Sequence, residues 1–173
     1  MTTLQIQNSL DFKRADRLSK TYLAVLAIFA VLVLFVMMFV VAPDKNVVTT
    51  ILISLGIAAA FGVFVTIPLV YYAVKKRNYA KNAEMYKLYR VVLDKPTYKG
   101  KSCRFQLTLP VEQNTVTVNT DWLFGNGAMA VYLTSDYLDK QVDVAYNPTT
   151  GVLLVLGLSA ESNITIADTT EIE

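Results

Sequence analysis

The chain has 173 residues, 54% of them hydrophobic and 17% charged, against about 45–50% and about 25% in ordinary soluble domains. Histidine is absent and cysteine occurs once, which excludes imidazole catalysis, His-ligated metals, internal disulfides and Cys-cluster zinc sites. The net charge of +2 is small only because two strongly charged stretches of opposite sign nearly cancel.

Residues 1–21 read as a cytoplasmic N-terminal segment carrying Lys13, Arg14, Arg17 and Lys20. Residues 22–42 follow without a formal charge, and fourteen of them are Leu, Ile, Val or Phe. A bilayer core of about 30 Å needs roughly 20 helical residues, so this run predicts a first transmembrane helix. The aliphatic and Phe positions together favour insertion by roughly 4–8 kcal/mol. The run exceeds the apolar region of a signal peptide, and its one cleavage-like site, Val40-Val41-Ala42, is followed at once by Pro43.

Residues 43–50 predict a short external turn, since Pro43, Asp44 and Asn46 are turn formers. Residues 51–74 predict a second transmembrane helix. Lys75, Lys76, Arg77 and Lys81 come directly after it, whereas the turn holds Lys45 beside Asp44. By the positive-inside rule both termini are cytoplasmic; the membrane expected is the plasma (inner) membrane. Tyr22, Tyr71 and Tyr72 fall at the same interface as aromatic anchors.

Residues 75–88 read as a basic cytoplasmic helix, with Tyr79, Ala83, Tyr86 and Arg90 at helical spacing. Residues 89–158 hold six short β-type runs: 89–93, 102–109, 115–118, 129–134, 141–146 and 152–158. In 141–146 the alternation is clean, Val142, Val144 and Tyr146 facing one way and Gln141, Asp143 and Ala145 the other. Turn signals separate the runs, including Gly125-Asn126-Gly127 and Asn147-Pro148. Six short strands in so little chain predict a small all-β domain, a barrel of OB-like or SH3-like type. Residues 159–173 read as an acidic tail.

In the second span Ser54, Ala58, Gly62 and Thr66 stand four apart, a small-residue face suited to helix packing. It serves either the first span, through Ala24, Ala27 and Ala30, or another membrane protein or a second copy of the chain. Pro68 predicts a kink near Phe64. No ionisable group lies within either span, which argues against a pump or a proton-coupled transporter.

Residues 75–104 hold ten basic groups against Glu84 and Asp94, and residues 105–173 hold Lys140 against nine acids. Lys75, Lys76, Arg77 and Lys81 are the candidates for contact with anionic lipid. Tyrosines interleave with the bases as in some nucleic-acid binders, but topology and solvated charge explain them better. Cys103 has no histidine to activate it, so no catalytic residue is assigned. The acids Asp136, Asp139 and Asp143 lack Ca²⁺-loop spacing, so no metal or other cofactor is assigned either. Trp122 and Phe124, in Asp121-Trp122-Leu123-Phe124, are the candidate partner contacts, because large aromatics dominate binding energy.

The run Val142-Asp143-Val144-Ala145-Tyr146-Asn147-Pro148 resembles a late strand and turn found in small bacterial membrane proteins with a helix pair and a compact β domain. The layout also resembles the NfeD family, in which membrane helices carry a small OB-type barrel. That resemblance implies an interaction module acting with membrane scaffolds of the stomatin/flotillin type. The expected function is a non-enzymatic membrane protein whose cytoplasmic β domain binds a protein or regulates a membrane complex. The alternative is a small homo-oligomeric channel or membrane-permeabilising protein. The expected partners are membrane lipid and a membrane protein or a second copy, with no nucleic acid and no small-molecule substrate identified.

Overall fold

The computed structural model describes residues 1–36, 47–81, 83–111, 114–127, 130–159 and 170–172. The chain divides into two compact units, one of residues Ala15–Arg77 and one of Met1–Arg14 with Asn78–Glu173.

The first unit is a pair of long helices. Helix α2 runs Leu10–Val36, after a short α1 at Thr3–Gln7, and α3 runs Val47–Lys81 through Pro68. Both are long and apolar enough to cross a membrane. Their apolar surface stays open: Leu34 is 65% exposed and Phe64 80%. So continuous an apolar surface is rare on a soluble monomer and marks a contact with membrane or with another protein. The helices pair antiparallel, because Tyr22 stacks on Tyr72 at 6.1 Å and Phe29 on Phe61 at 3.9 Å between ring centroids. Near the first of these contacts Lys76 Nζ meets Asp16 Oδ1 at 2.8 Å. The expected turn at 43–50 falls mostly outside the described residues, while 47–50 already belong to α3.

Among its described residues the second unit contains nine strands: β1 (Lys87–Val92), β2 (Pro96–Lys99), β3 (Ser102–Val111), β4 (Asn114–Asn119), β5 (Phe124–Gly125), β6 (Tyr132–Leu133), β7 (Gln141–Asn147), β8 (Val152–Leu158) and β9 (Thr170–Ile172). A single helical turn, α4 (Thr134–Tyr137), precedes β7. Among the described residues the ladders form two sheets. One has the order β8-β7-β1-β9, the other β2-β3-β5-β6 with β4 paired to β3. They share one core, with Tyr89, Val142, Val144 and Val155 from the first sheet and Cys103, Phe105, Leu107 and Leu109 from the second. Strand β3 shows why: its odd positions are apolar and buried, while Gln106, Thr108 and Pro110 between them face solvent. The β7–β8 ladder slips between Asp143 and Val144, and Gly157 there takes φ +145, a bulge that only glycine adopts without strain.

The alternation read in 141–146 is present. Val142, Val144 and Tyr146 enter the shared core, and Ala145 enters a second cluster with Ile6, Tyr79, Ala83, Tyr86 and Leu154. The helix expected over 75–88 stops at Lys81. One 3₁₀ turn follows at Ala83–Met85, and β1 begins at Lys87. Tyr79, Ala83 and Tyr86 still meet on one buried surface, whereas Arg90 lies on β1 and pairs with Asp143 at 3.0 Å. The segment 96–99, between the expected runs 89–93 and 102–109, is β2, and Thr134, read as strand, opens α4. Of the tail, residues 170–172 pair with β1 as β9, and 160–169 lie outside the described residues.

Residues 1–14 are built into the β domain. Thr2 caps α1: its Oγ1 accepts Gln5 N at 3.4 Å, and Gln5 Oε1 accepts Thr2 N at 2.9 Å. Ser9 caps α2, accepting Phe12 N on Oγ at 3.2 Å. Ile6, Ser9, Leu10 and Asp11 are buried, and Asp11 Oδ2 accepts the backbone N–H of Val155 at 2.7 Å.

Candidate functional site

The β domain carries a pocket of about 360 Å³ beside Trp122. Its floor follows from the start of β3 and the short β5. Ser102 pairs with Gly125 and Cys103 with Phe124, and Asn126 N donates to Lys101 O at 3.0 Å. Glycine is required at position 125, where a Cβ would stand 2.8 Å from the Lys101 carbonyl oxygen. These bonds draw the turn after β5 against Lys101 and leave Asn126, Gly127, Ala130 and Val131 along the pocket wall.

Trp122 and Phe124 part company here. Phe124 is 2% exposed, with its ring 5.0 Å from Phe105 and 5.0 Å from Tyr137, so it belongs to the core and offers a partner no surface. Trp122 remains partly exposed at the pocket. Its carbonyl accepts a hydrogen bond from Arg14 Nη1, and the guanidinium of Arg104 lies 4.8 Å from the indole centroid. That distance is within the range of a cation–π contact. Arg14 reaches the site because α2 begins inside the β domain, where Ile6, Leu10 and Asp11 anchor the preceding turn.

The other residues singled out in the sequence lie in the helical unit and the turns after it. Ser54, Ala58 and Gly62 are half-buried and Thr66 is exposed. Over residues 22–36 of α2 the half-buried positions are Tyr22, Leu26, Phe29 and Val33, while Ala24, Ala27 and Ala30 are exposed, so the two small-residue strips do not face each other. A Cβ added at Gly62 would meet nothing within 4 Å. Tyr71 is exposed and packs edge-on against Tyr72 at 5.2 Å, with Lys75 Nζ 5.9 Å from its ring. Of the four candidates for lipid contact, Arg77 and Lys81 are exposed, while Lys75 and Lys76 are half-buried, Lys76 in its ion pair with Asp16.

Cys103 is fully buried, and burial pushes its thiol pKa up from the ordinary value. Such a thiol is poor in the reactive thiolate. Among the described residues no group of three or more His, Cys, Asp or Glu comes together.

Arg14 and Lys101 escaped sequence reasoning as site residues. Arg14 stands 108 positions from Trp122 and reads as one of several topogenic bases. Lys101 adjoins a turn glycine in a stretch already crowded with lysine. Comparison of the chain with protein-family models, with curated proteins and with solved structures finds no match.

Proposed function

We propose that the chain is a non-enzymatic integral membrane protein of the plasma (inner) membrane. In this reading the helical pair is the anchor, both termini are cytoplasmic, and the β domain is a protein-interaction or regulatory module of a membrane complex. The two sheets would be the walls of a small OB-like or SH3-like barrel, in an arrangement that resembles the NfeD family. The observation that carries the reading is Trp122, a large aromatic left partly exposed beside a pocket while its neighbours Leu123 and Phe124 are buried. Partly exposed Trp ringed by Arg is the composition of binding hot spots. The first turn of α2 and the last turn of α3 belong to the same compact unit as the strands.

Two measurements test this. A photo-crosslinking aromatic amino acid at Trp122 should give a discrete heavier adduct in native membranes, and the same group at Thr117, exposed on β4, should not. No adduct from Trp122, or the same adduct from both, overturns the module. For orientation, a membrane-impermeant maleimide should label Lys45→Cys in intact cells, and Lys13→Cys or Tyr98→Cys only after permeabilisation. The reverse pattern overturns the placement of the termini.

One observation favours the second reading, a homo-oligomeric channel or membrane-permeabilising protein. Among the described residues the space over Gly62 is open, so at that position of the strip no helix is closely packed.

A further inference from the structure

Among the described residues the charged lining of the pocket beside Trp122 is all of one sign: Arg14 and Lys101 line it, and Asp121, next to Trp122, does not. Other cations in the chain meet acids: Arg90 stands 3.0 Å from Asp143, and Lys20 and Lys76 stand 2.6 and 2.8 Å from Asp16. Among the described residues the Arg14 guanidinium has one hydrogen bond, to the Trp122 carbonyl, and the Lys101 ammonium has none. A guanidinium offers five donors, so most of the Arg14 fork is unused. Arg104, over the indole, has a buried Nε with no hydrogen-bond partner among the described residues.

We propose that this pocket binds a phosphomonoester group, its oxygens between Arg14 and Lys101 and its less polar remainder against Trp122 and Val131. Two lining cations without an acid balance a dianion, whereas a single carboxylate leaves one of them uncompensated. The planar fork of Arg14 matches phosphate oxygens in pairs, and Lys101 adds a mobile point charge. Ser102 and Asn126, also in the lining, supply neutral polar groups. The volume of about 360 Å³ falls within the range of small-ligand sites, about 300–1,000 Å³. Glycines at 125 and 127 keep that part of the wall free of side chains. A dissolved phosphomonoester and the headgroup of a phosphatidic acid share this chemistry. The proposal goes beyond the interaction module and stands without it.

Trp122 is the only tryptophan in the chain, so its emission reports on the pocket directly. The full chain in phosphatidylcholine nanodiscs is titrated with glycerol 3-phosphate at constant ionic strength. A second arm compares nanodiscs with and without phosphatidic acid. A saturable emission change is expected in one arm, and which arm responds assigns the dissolved or the lipid source. Lys101→Gln, at an exposed side chain, should weaken it by roughly ten- to hundredfold, as for the loss of one charge-assisted hydrogen bond. Lys99→Gln, the same change on β2 outside the pocket, should leave it unaltered. No saturable change in either arm, a change reproduced by chloride, or equal weakening by Lys99→Gln overturns the proposal. Such a failure leaves the crosslinking test of the module untouched, because that test reads protein capture alone.

Discussion

The Asp11 carboxylate accepts the backbone N–H of Val155 at 2.7 Å, across 144 positions of sequence, and both residues are buried. Strand β8 is the outer strand of its sheet, and an open edge exposes unpaired N–H groups to any passing strand. Asp11 closes one of those groups from the first turn of α2. The same contact fixes the helix register that brings Arg14, three residues on, to the carbonyl of Trp122. One buried hydrogen bond thus links the edge of one sheet to the pocket beside the other.

Removing that acceptor leaves a buried N–H without a partner. Asp11→Ala is expected to destabilise the β domain by about 2–3 kcal/mol, the usual range for a lost hydrogen bond to a charged group. Asp11→Asn retains an accepting oxygen and should cost about 1 kcal/mol. Urea unfolding in detergent, followed by Trp122 emission, measures both. Coincident midpoints for wild type and Asp11→Ala would refute the role given to this bond.

Tyr86 lies in the cluster that also buries Ile6. Burial first, and the Asp11 carboxylate second, push its phenol pKa up from 10.0 to about 12. The folded chain therefore holds a proton that the unfolded chain releases at about pH 10. Its contribution to stability is complete below pH 10 and is lost as the pH rises towards about 12. In a phenolate absorbance titration, the difference between wild type and Tyr86→Phe should show one group ionising near 12. Asp11→Asn should move that group downwards. A difference that titrates near 10 would contradict the placement of Tyr86.

Much of this architecture is legible in the sequence because local patterns carry it. Uncharged runs mark the two helices, and the 152–158 run coincides with β8. Strand β3 announces itself through Cys103, Phe105, Leu107 and Leu109 at every second position. What escaped is non-local. Asp11 sits among bases and reads as a solvated charge until Val155 folds against it. Strands β5 and β9 are two and three residues long, too short for any alternation to be read. Trp122 and Phe124 look equivalent in sequence, and only the pairing of Phe124 with Cys103 turns one inward and leaves the other partly exposed.

That division predicts opposite phenotypes for the two aromatics. Phe124→Ala empties a fully packed site between Phe105 and Tyr137 and should destabilise the domain by about 3–5 kcal/mol. Trp122→Ala removes a partly exposed ring and should cost about 1 kcal/mol while abolishing capture by a crosslinker placed at Val131, on the pocket wall. Protease resistance of the β domain separates the cases. Equal sensitivity of both variants would show that Trp122 is as structural as Phe124.

Gly62 gives the sharpest test of how the hairpin is packed. A glycine in a small-residue strip ordinarily lets a neighbouring helix approach closely, and adding a methyl group then forces the two apart. Here the added Cβ meets nothing within 4 Å, while Phe29 and Phe61 already make the nearby interhelical contact at 3.9 Å. Gly62→Ala should therefore leave the hairpin intact and, through helix propensity, stabilise it by up to about 1 kcal/mol. Thermal unfolding of the monomer in detergent measures this, with Phe61→Ala as the contrasting variant that should lower the midpoint. A lowered midpoint for Gly62→Ala would mean that α2 approaches α3 more closely than this packing allows. If the midpoint holds while crosslinking between copies falls in Gly62→Leu, the strip is in use between chains and the oligomeric reading gains.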